Sequence, residues 1–244
     1  MSRESQAGLR ERAQRLFKVL QCTYPAARCE LDYSNPLELL VATILSAQCT
    51  DKQVNLVTRD LFKEFTRAED YANAPIEHLS KRIQRLGFFR AKARHIQTCC
   101  RKLVERHAGE VPKTMMELTD LDGVGRKTAN VVLGNAFGLN EGVVVDTHVL
   151  RLSRRLGLSR HQAPEKVERD LMSLFARDQW TLLSHLLIWH GRRRCKARRP
   201  ECVQCELAAD CPRQGVFNEG LQRREVKPFA AAACSRARSR HVPS

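Results

Sequence analysis

Four cysteines in the C-terminal third constrain the folding of this chain more than any other sequence feature. They follow the spacing C-x6-C-x2-C-x5-C within seventeen residues, at Cys195, Cys202, Cys205 and Cys211. Four thiols so close in sequence can converge on one centre only if the chain coils tightly around it. Zinc sites usually use two C-x2-C-like pairs, whereas this set has one, and four thiolates also suit an iron–sulfur cluster. On spacing alone, zinc and an iron–sulfur cluster are equal alternatives.

The remaining cysteines show no comparable spacing and are interpreted as buried or incidental thiols. They are Cys22, Cys29, Cys49, Cys99, Cys100 and Cys234. The first 21 residues carry scattered charge without an apolar core segment, so no signal peptide is expected. No window approaches the ~20 apolar residues of a membrane span. We therefore expect a soluble cytoplasmic protein whose cysteines do not form disulfides.

A glycine-rich hairpin is the second informative stretch. Leu121–Asn130 reads LDGVGRKTAN, with Gly123 and Gly125 between a polar helical run and an apolar one. Glycine tolerates positive φ and close backbone approach, which suits a tight connection between two helices. The second helix would begin near Arg126, and a helix N-terminus favours anions such as phosphate. Lys127 in its first turn would face that anion. Taken alone, the stretch is equally consistent with an ordinary helix connector.

The charge of the chain favours a polyanionic partner. Lysine and arginine number 42 against 27 acidic residues, a formal net charge of +15. Such a surplus is typical of proteins that bind nucleic acid. Six cations and no acid lie between Arg192 and Arg199, around the first cysteine of the set. Residues 218–244 form a basic tail that is expected to be disordered.

Hydrophobic periodicity predicts an all-α protein with about ten helices. The helices are expected near residues 8–21, 37–47, 52–65, 77–87, 90–107, 112–118, 127–137, 147–156, 163–176 and 180–190. The helix at 37–47 is apolar nearly all round and should be the buried centre of a domain. Asp146, after a short extended run, is expected to cap the helix at 147–156. Phe88 and Phe89 at a glycine turn are either exposed or ordinary core residues.

Together these motifs closely resemble the endonuclease III family of helix-hairpin-helix DNA glycosylases, which carry an iron–sulfur cluster. The resemblance rests on the hairpin, on Val145–His148, on the cysteine spacing, on Leu45-Ser46-Ala47-Gln48 and on His190-Gly191-Arg192. It covers about residues 10–215. It implies two helical domains flanking a DNA-binding cleft: a six-helix barrel with the hairpin at 29–139, and a cluster domain made of 1–28 and 140–214. The implied cofactor is a [4Fe-4S] cluster on the four cysteines.

The resemblance also assigns roles to single residues. Lys127 would be the nucleophile of a bifunctional DNA glycosylase/AP lyase. Asp146 would activate or orient the amine and stabilise positive charge on the sugar. Gln48 would fill the gap left by an extruded base, and Phe88, where a leucine is expected in the bacterial archetype, would be the wedge. Further DNA contacts are implied for Gly123, Val124, Gly125, Arg126, Thr128, His148 and Arg192. The implied partner is double-stranded DNA with oxidised pyrimidines or abasic sites, bound by a monomer at the nucleoid.

Two other functions are compatible with parts of the sequence. A related adenine glycosylase shares the fold and cluster, but lacks the lysine and has an added C-terminal recognition domain. A non-catalytic helix-hairpin-helix protein with a structural cluster would be expected to lose both Lys127 and Asp146. Because both residues are present, the bifunctional glycosylase/lyase is the favoured interpretation.

Overall fold

The structure is a computed structural model that describes residues 4–216. These residues form eleven α-helices and two short 3-10 helices and contain no β-strand, which confirms the all-α class. The helices are α1 (Gln6–Thr23), α2 (Pro36–Leu45), α3 (Asp51–Glu64), α4 (Ala68–Asn73), α5 (Ile76–Arg82), α6 (Phe89–His107), α7 (Met115–Asp120), α8 (Arg126–Ala136), α9 (Thr147–Arg155), α10 (Pro164–Leu174) and α11 (Trp180–Arg193). The basic tail lies outside the described residues.

The chain folds into two compact units. One is Cys29–Glu141, with helices α2 to α8. The other combines the described residues up to Arg28 with those from Gly142 onward, and contains α1 and α9 to α11. Within the described residues, no helix is both long enough and apolar enough to cross a membrane.

Helix α2 is the centre of the first unit. Asn35 caps it by accepting a hydrogen bond from the Glu38 N–H at 2.9 Å, and Pro36 occupies its first position, where a missing N–H costs nothing. Every residue from Leu39 to Leu45 is buried. Helices α3, α6 and α8 pack around it. The prediction of a buried central helix is therefore confirmed.

The helices differ from the sequence expectation in several places; the helix expected at 77–87, for example, ends at Arg82. Helix α4 was not predicted, because six residues are too few to display helical periodicity. It starts where Asp70 accepts hydrogen bonds from the backbone N–H groups of Thr66 and Arg67, both at 2.8 Å. The helix expected from Pro112 begins instead at Met115, because Thr114 caps it by accepting from the Glu117 N–H at 3.3 Å.

The second unit is built on contacts of α1 and α9 with α10 and α11. Leu16, Phe17 and Leu20 on α1 are buried in its apolar core, and the Phe17 ring lies 6.0 Å from that of Phe175. Burying several large side chains of this kind stabilises a unit by about 1.5–3 kcal/mol each before entropy is counted. The N-terminal helix therefore packs against residues more than 140 positions away in sequence.

The cysteines outside the set of four follow the expectation only in part. Cys99 and Cys100 are buried, and burial raises the pKa of the Cys99 thiol to about 12. Cys29 and Cys49 are partly exposed and are in no disulfide. Cys22 differs from the expectation, because it is disulfide-bonded.

Candidate active site, DNA-contacting turns and cysteine cavity

The predicted hairpin connects α7 to α8, and the backbone conformation at position 123 requires glycine. Its φ is +77°, in the left-handed region where side chains are strained. A Cβ at this position would lie 3.0 Å from the Cβ of His95 on α6. Leu121 and Val124 are buried and anchor the turn in the core of the unit. The hairpin is therefore held rigidly against α6.

Helix α8 begins at Arg126 with Gly125 as its N-cap and without a side-chain cap. A Cβ on Gly125 would meet nothing within 4 Å, so the space in front of the helix is open. Arg126 and Lys127 are exposed in the first turn, and Thr128 is partly buried. A helix end of this kind, with two cations beside it, is suited to bind phosphate.

Asp146 is the N-cap of α9, as predicted. Its Oδ1 accepts a hydrogen bond from the Val149 N–H at 2.8 Å. The three valines before Asp146 (143–145) are buried, and Ser184 Oγ accepts from the Val144 N–H at 2.9 Å. Within residues 4–216 no donor reaches the other carboxylate oxygen of Asp146. That oxygen is therefore available for a second partner.

His148, two residues further on, is packed tightly against α11. Arg151 Nη2 lies 3.1 Å from His148 Nδ1 and also donates to the carbonyl of Gly191 at 3.0 Å. Burial lowers the pKa of His148, and the charges of Arg151 and Arg192 act in the same direction, against Asp146. One unit thus brings together Asp146, His148 and Arg192.

The two residues implied to enter the DNA share an unusual backbone conformation. Gln48 has φ +55° and Phe88 has φ +57°, and both side chains are exposed. Phe88 is 67% exposed, while Phe89 packs against the core, which resolves the alternatives for the two aromatics. A residue with a large side chain in the left-handed region costs about 1–2 kcal/mol. Such strain is commonly found at functional sites.

Sequence analysis missed a hydrogen bond that links these two turns. Lys92 on α6 is 4% exposed, and its Nζ donates to Cys49 Sγ at 3.1 Å. Cys49 follows Gln48, and Lys92 lies one helical turn after Phe88. The contact joins residues 43 positions apart, so no local pattern could have predicted it.

The four predicted ligand cysteines lie in the same part of the second unit. All four line one cavity in the second unit, and none is in a disulfide. Burial raises the pKa of Cys205 to about 12 and that of Cys211 to about 11. Thiols in such a site become thiolates when a metal or cluster replaces their protons. In residues 4–216, no group of three or more Cys, His, Asp or Glu side chains is arranged to hold a metal ion.

Polar groups around the cavity point toward sulfur. Arg155 Nη1 donates to Cys195 Sγ at 3.4 Å, and His190 Nε2 lies 3.4 Å from Cys205 Sγ. The hydroxyl of Tyr24 lies 3.0 Å from the other ring nitrogen, Nδ1 of His190. Donors of this kind stabilise negative charge on ligating sulfur. The donor set therefore fits a thiolate-bound group.

The basic run beside the cysteines is less available to DNA than its sequence suggests. Arg194 pairs with Glu201 at 2.7 Å and with Glu206 at 2.8 Å, and Lys196 pairs with Glu201 at 2.6 Å. These ion pairs connect the basic run to the acidic residues that follow it in the sequence. Arg192 is exposed at the end of α11, as its predicted role requires.

Comparison with known proteins places this architecture in a family. Residues 41–177 match the model of the HhH-GPD superfamily base excision DNA repair proteins. Endonuclease III of Synechocystis sp. is 51% identical over 206 residues, covering 84% of this chain and 94% of that protein. Endonuclease III of Bacillus subtilis is 47% identical over 189 residues, covering 77% and 86%.

A solved structure agrees with these relatives. The structure of a trapped endonuclease III–DNA covalent intermediate superimposes with a TM-score of 0.80 at 42% identity, covering 84% of this chain and 96% of that one. The chain therefore belongs to the endonuclease III family, within the HhH-GPD superfamily of base excision DNA repair proteins.

Proposed function

We propose that Lys127 is the nucleophile with which this protein, a DNA glycosylase and AP lyase of base excision repair, removes oxidised pyrimidines and cuts the strand. One observation carries the proposal: an exposed lysine in the first turn of a helix whose N-terminal end is open and is fixed by a rigid glycine turn. Phosphate bound at that end would place the sugar of the flanking nucleotide within reach of the amine.

The reaction follows from the chemistry of a neutral amine. The damaged nucleotide must first leave the base stack. The lysine nitrogen then attacks C1′, the base departs with the bonding electrons, and the opened sugar is held as an imine. The imine acidifies C2′, so a base removes a proton there and the 3′ phosphate leaves. An amine thereby cleaves both the base–sugar bond and the strand, whereas water would cleave only the first.

Asp146 would activate or orient the amine and stabilise positive charge on the sugar. The proposal is supported by the carboxylate oxygen that its capping hydrogen bond leaves available. Because the backbone holds the other oxygen, the carboxylate is fixed before substrate arrives. His148 and Arg192, which lie around it in the same unit, would contact the DNA strand.

The hairpin and the two strained turns supply the remaining DNA contacts in this proposal. Gly123, Val124, Gly125, Arg126 and Thr128 would hold phosphate at the start of α8. Phe88 would enter the base stack as a wedge, and Gln48 would fill the gap left by the extruded base. Holding both side chains in a strained, exposed conformation pre-organises them for insertion.

The cysteine cavity would hold a [4Fe-4S] cluster through Cys195, Cys202, Cys205 and Cys211. The proposal is supported by a cavity lined by four thiols, by the N–H group that Arg155 donates to Cys195 and by the His190 ring nitrogen beside Cys205. When bound, the cluster would crosslink the C-terminal segment of this unit. We assign the cytoplasm, at the nucleoid, as the place of action and a monomer as the active form.

Borohydride trapping tests the mechanism. A duplex with one oxidised pyrimidine is incubated with wild-type protein, Lys127→Gln and the control Lys63→Gln, which removes an exposed lysine of α3. A covalent protein–DNA band is expected for the wild type and the control and is lost in Lys127→Gln. Base release without a band in any protein would indicate a monofunctional glycosylase that uses water. Binding without release or band would indicate a non-catalytic DNA-binding protein.

A further inference from the structure

Three cations line one open groove of the unit Cys29–Glu141. Lys81 on α5 and Arg90 and Arg94 on α6 line this groove together with Glu77. All three cations are exposed. We call this surface, defined by Lys81, Arg90 and Arg94, the α6 groove. Its positive charge is not explained by any role assigned so far.

Several cations elsewhere on the same unit are paired with acids. Lys63 lies 3.5 Å from Asp60, Arg82 lies 2.7 Å from Glu64, and Arg106 lies 2.8 Å from Asp120. Across residues 4–216, by contrast, no ion pair involves the three cations of the α6 groove. The groove is therefore a place where three cations of this unit lie close together without an ion-pair partner.

The position of the groove relates it to the DNA-contacting turns. Arg90 and Arg94 are four residues apart, so they share one face of α6 and are separated by about 6 Å along its axis. Phe88 is the N-cap of the same helix, and His95 of α6 lies beside Gly123 of the hairpin. The Arg90 guanidinium lies over the Phe89 ring, 5.3 Å from its centroid, which restricts its range of positions. The same helix thus carries the groove, the wedge residue and a contact to the hairpin.

We infer that the α6 groove binds the sugar–phosphate backbone of duplex DNA next to the step that Phe88 enters, and so extends the DNA footprint beyond the hairpin. The inference rests on the proposed function for the place of Phe88 in the DNA. Arginine and lysine are the usual partners of phosphate oxygens, and such contacts position a protein on the duplex without reading sequence. An acidic protein surface is the competing occupant. Cations spaced along a helix that begins at a wedge residue favour DNA.

The salt dependence of binding tests the inference. Each phosphate contact contributes about 0.9 to the slope of log Kobs against log salt concentration. The double variant Arg90→Gln/Arg94→Gln should therefore reduce the slope by about 1.8. When the salt concentration rises from 50 to 200 mM, the factor by which DNA affinity falls should be about 12 times smaller for the variant than for the wild type. The duplex should carry an uncleavable abasic-site analogue. The matched control Arg59→Gln/Lys63→Gln removes the same charge beside Asp60 on α3 and should leave the slope unchanged.

An unchanged slope in the groove variant would overturn the inference and leave an acidic protein as the occupant. An equal fall in both double variants would also overturn it, because the effect would then belong to net charge. If the double variant does not fold by circular dichroism, Arg90→Gln and Arg94→Gln are measured singly, with about 0.9 expected from each. Borohydride trapping of the wild type is measured alongside. If trapping fails while the groove variants still lower the slope, the groove stands and the lysine mechanism falls.

Discussion

Replacing Gly123 and Gly125 by alanine should separate the folding of the hairpin from its binding of DNA. The two glycines are one residue apart, but their surroundings differ. Gly123 has φ +77°, and an added Cβ would lie 3.0 Å from the Cβ and 3.3 Å from the Cγ of His95. Gly125 has φ −90° and open space around it. The same chemical change therefore meets a packed and strained position in one case and a free one in the other.

The magnitudes follow from these contacts. For Gly123→Ala, the left-handed backbone costs about 1–2 kcal/mol. The clash adds about 1–3 kcal/mol, since the Cβ of His95 is fixed to its backbone and cannot swing away. The sum is about 2–5 kcal/mol of unfolding free energy. Gly125→Ala should cost no more than about 1 kcal/mol, because alanine is only a poorer N-cap. Its Cβ would instead stand where a phosphate approaches, and losing one charge-assisted hydrogen bond weakens binding by about tenfold or more.

Urea denaturation and DNA binding measure the two effects. The urea midpoint of Gly123→Ala should fall by about 1 M, whereas that of Gly125→Ala should stay close to the wild type. Binding to a duplex with an abasic-site analogue should be weakened in Gly125→Ala under conditions where it is fully folded. Equal urea midpoints for the two variants would refute the argument about His95. Wild-type affinity in Gly125→Ala would refute a phosphate site at the start of α8.

Further predictions concern stability, strain and the cysteine cavity. Phe88→Gly should raise the unfolding free energy by about 1 kcal/mol, because glycine adopts a positive φ without strain. The same variant should slow base release. Slower release without a gain in stability would contradict the strain argument. Burial alone would raise the pKa of Asp70, but backbone hydrogen bonds at the start of α4 hold it below its usual value, so Asp70→Ala should cost about 1 kcal/mol at pH 7. That difference is present above the unfolded pKa of about 4 and should disappear as the pH falls through the lower folded value; a pH-independent difference would assign it to packing. Gly191→Ala should destabilise by about 1–3 kcal/mol, because its Cβ would lie 3.0 Å from His148 Nδ1, and a neutral effect in thermal melts would contradict this packing. Purified protein should be brown from thiolate-to-iron charge transfer and lose both colour and thermal stability in Cys205→Ser, whereas a colourless, zinc-loaded and fully active protein would overturn the cluster assignment.

The sequence predicted best the features that are local. A polar residue before an amphipathic run identified Asp146 as a cap, because a cap and the N–H it accepts from are three residues apart. Two glycines between helical runs identified the hairpin for the same reason. Helix α4 was missed because its start depends on one carboxylate, that of Asp70, and on too few residues for periodicity.

The sequence could not predict contacts between distant segments. Nothing near Lys92 indicates that its amine meets the thiol of Cys49, 43 positions earlier. In the sequence, the cations around Cys195 all looked exposed. Two acids that pair with Arg194 lie beyond the basic run, namely Glu201 and Glu206. Charge counted along the chain therefore overestimated the positive surface beside the cysteine cavity.

The hydrogen bond from Lys92 to Cys49 also places a thiol between the two strained turns, where it can serve as a native chemical probe. The rate at which the Cys49 thiol is alkylated reports how accessible the sulfur is between the two strained turns. With Cys29 replaced by serine, Cys49 is the partly exposed free thiol that remains in the unit Cys29–Glu141. DNA seated on both turns should slow the labelling. Labelling of this native thiol therefore allows DNA binding at the two turns to be followed without an added probe.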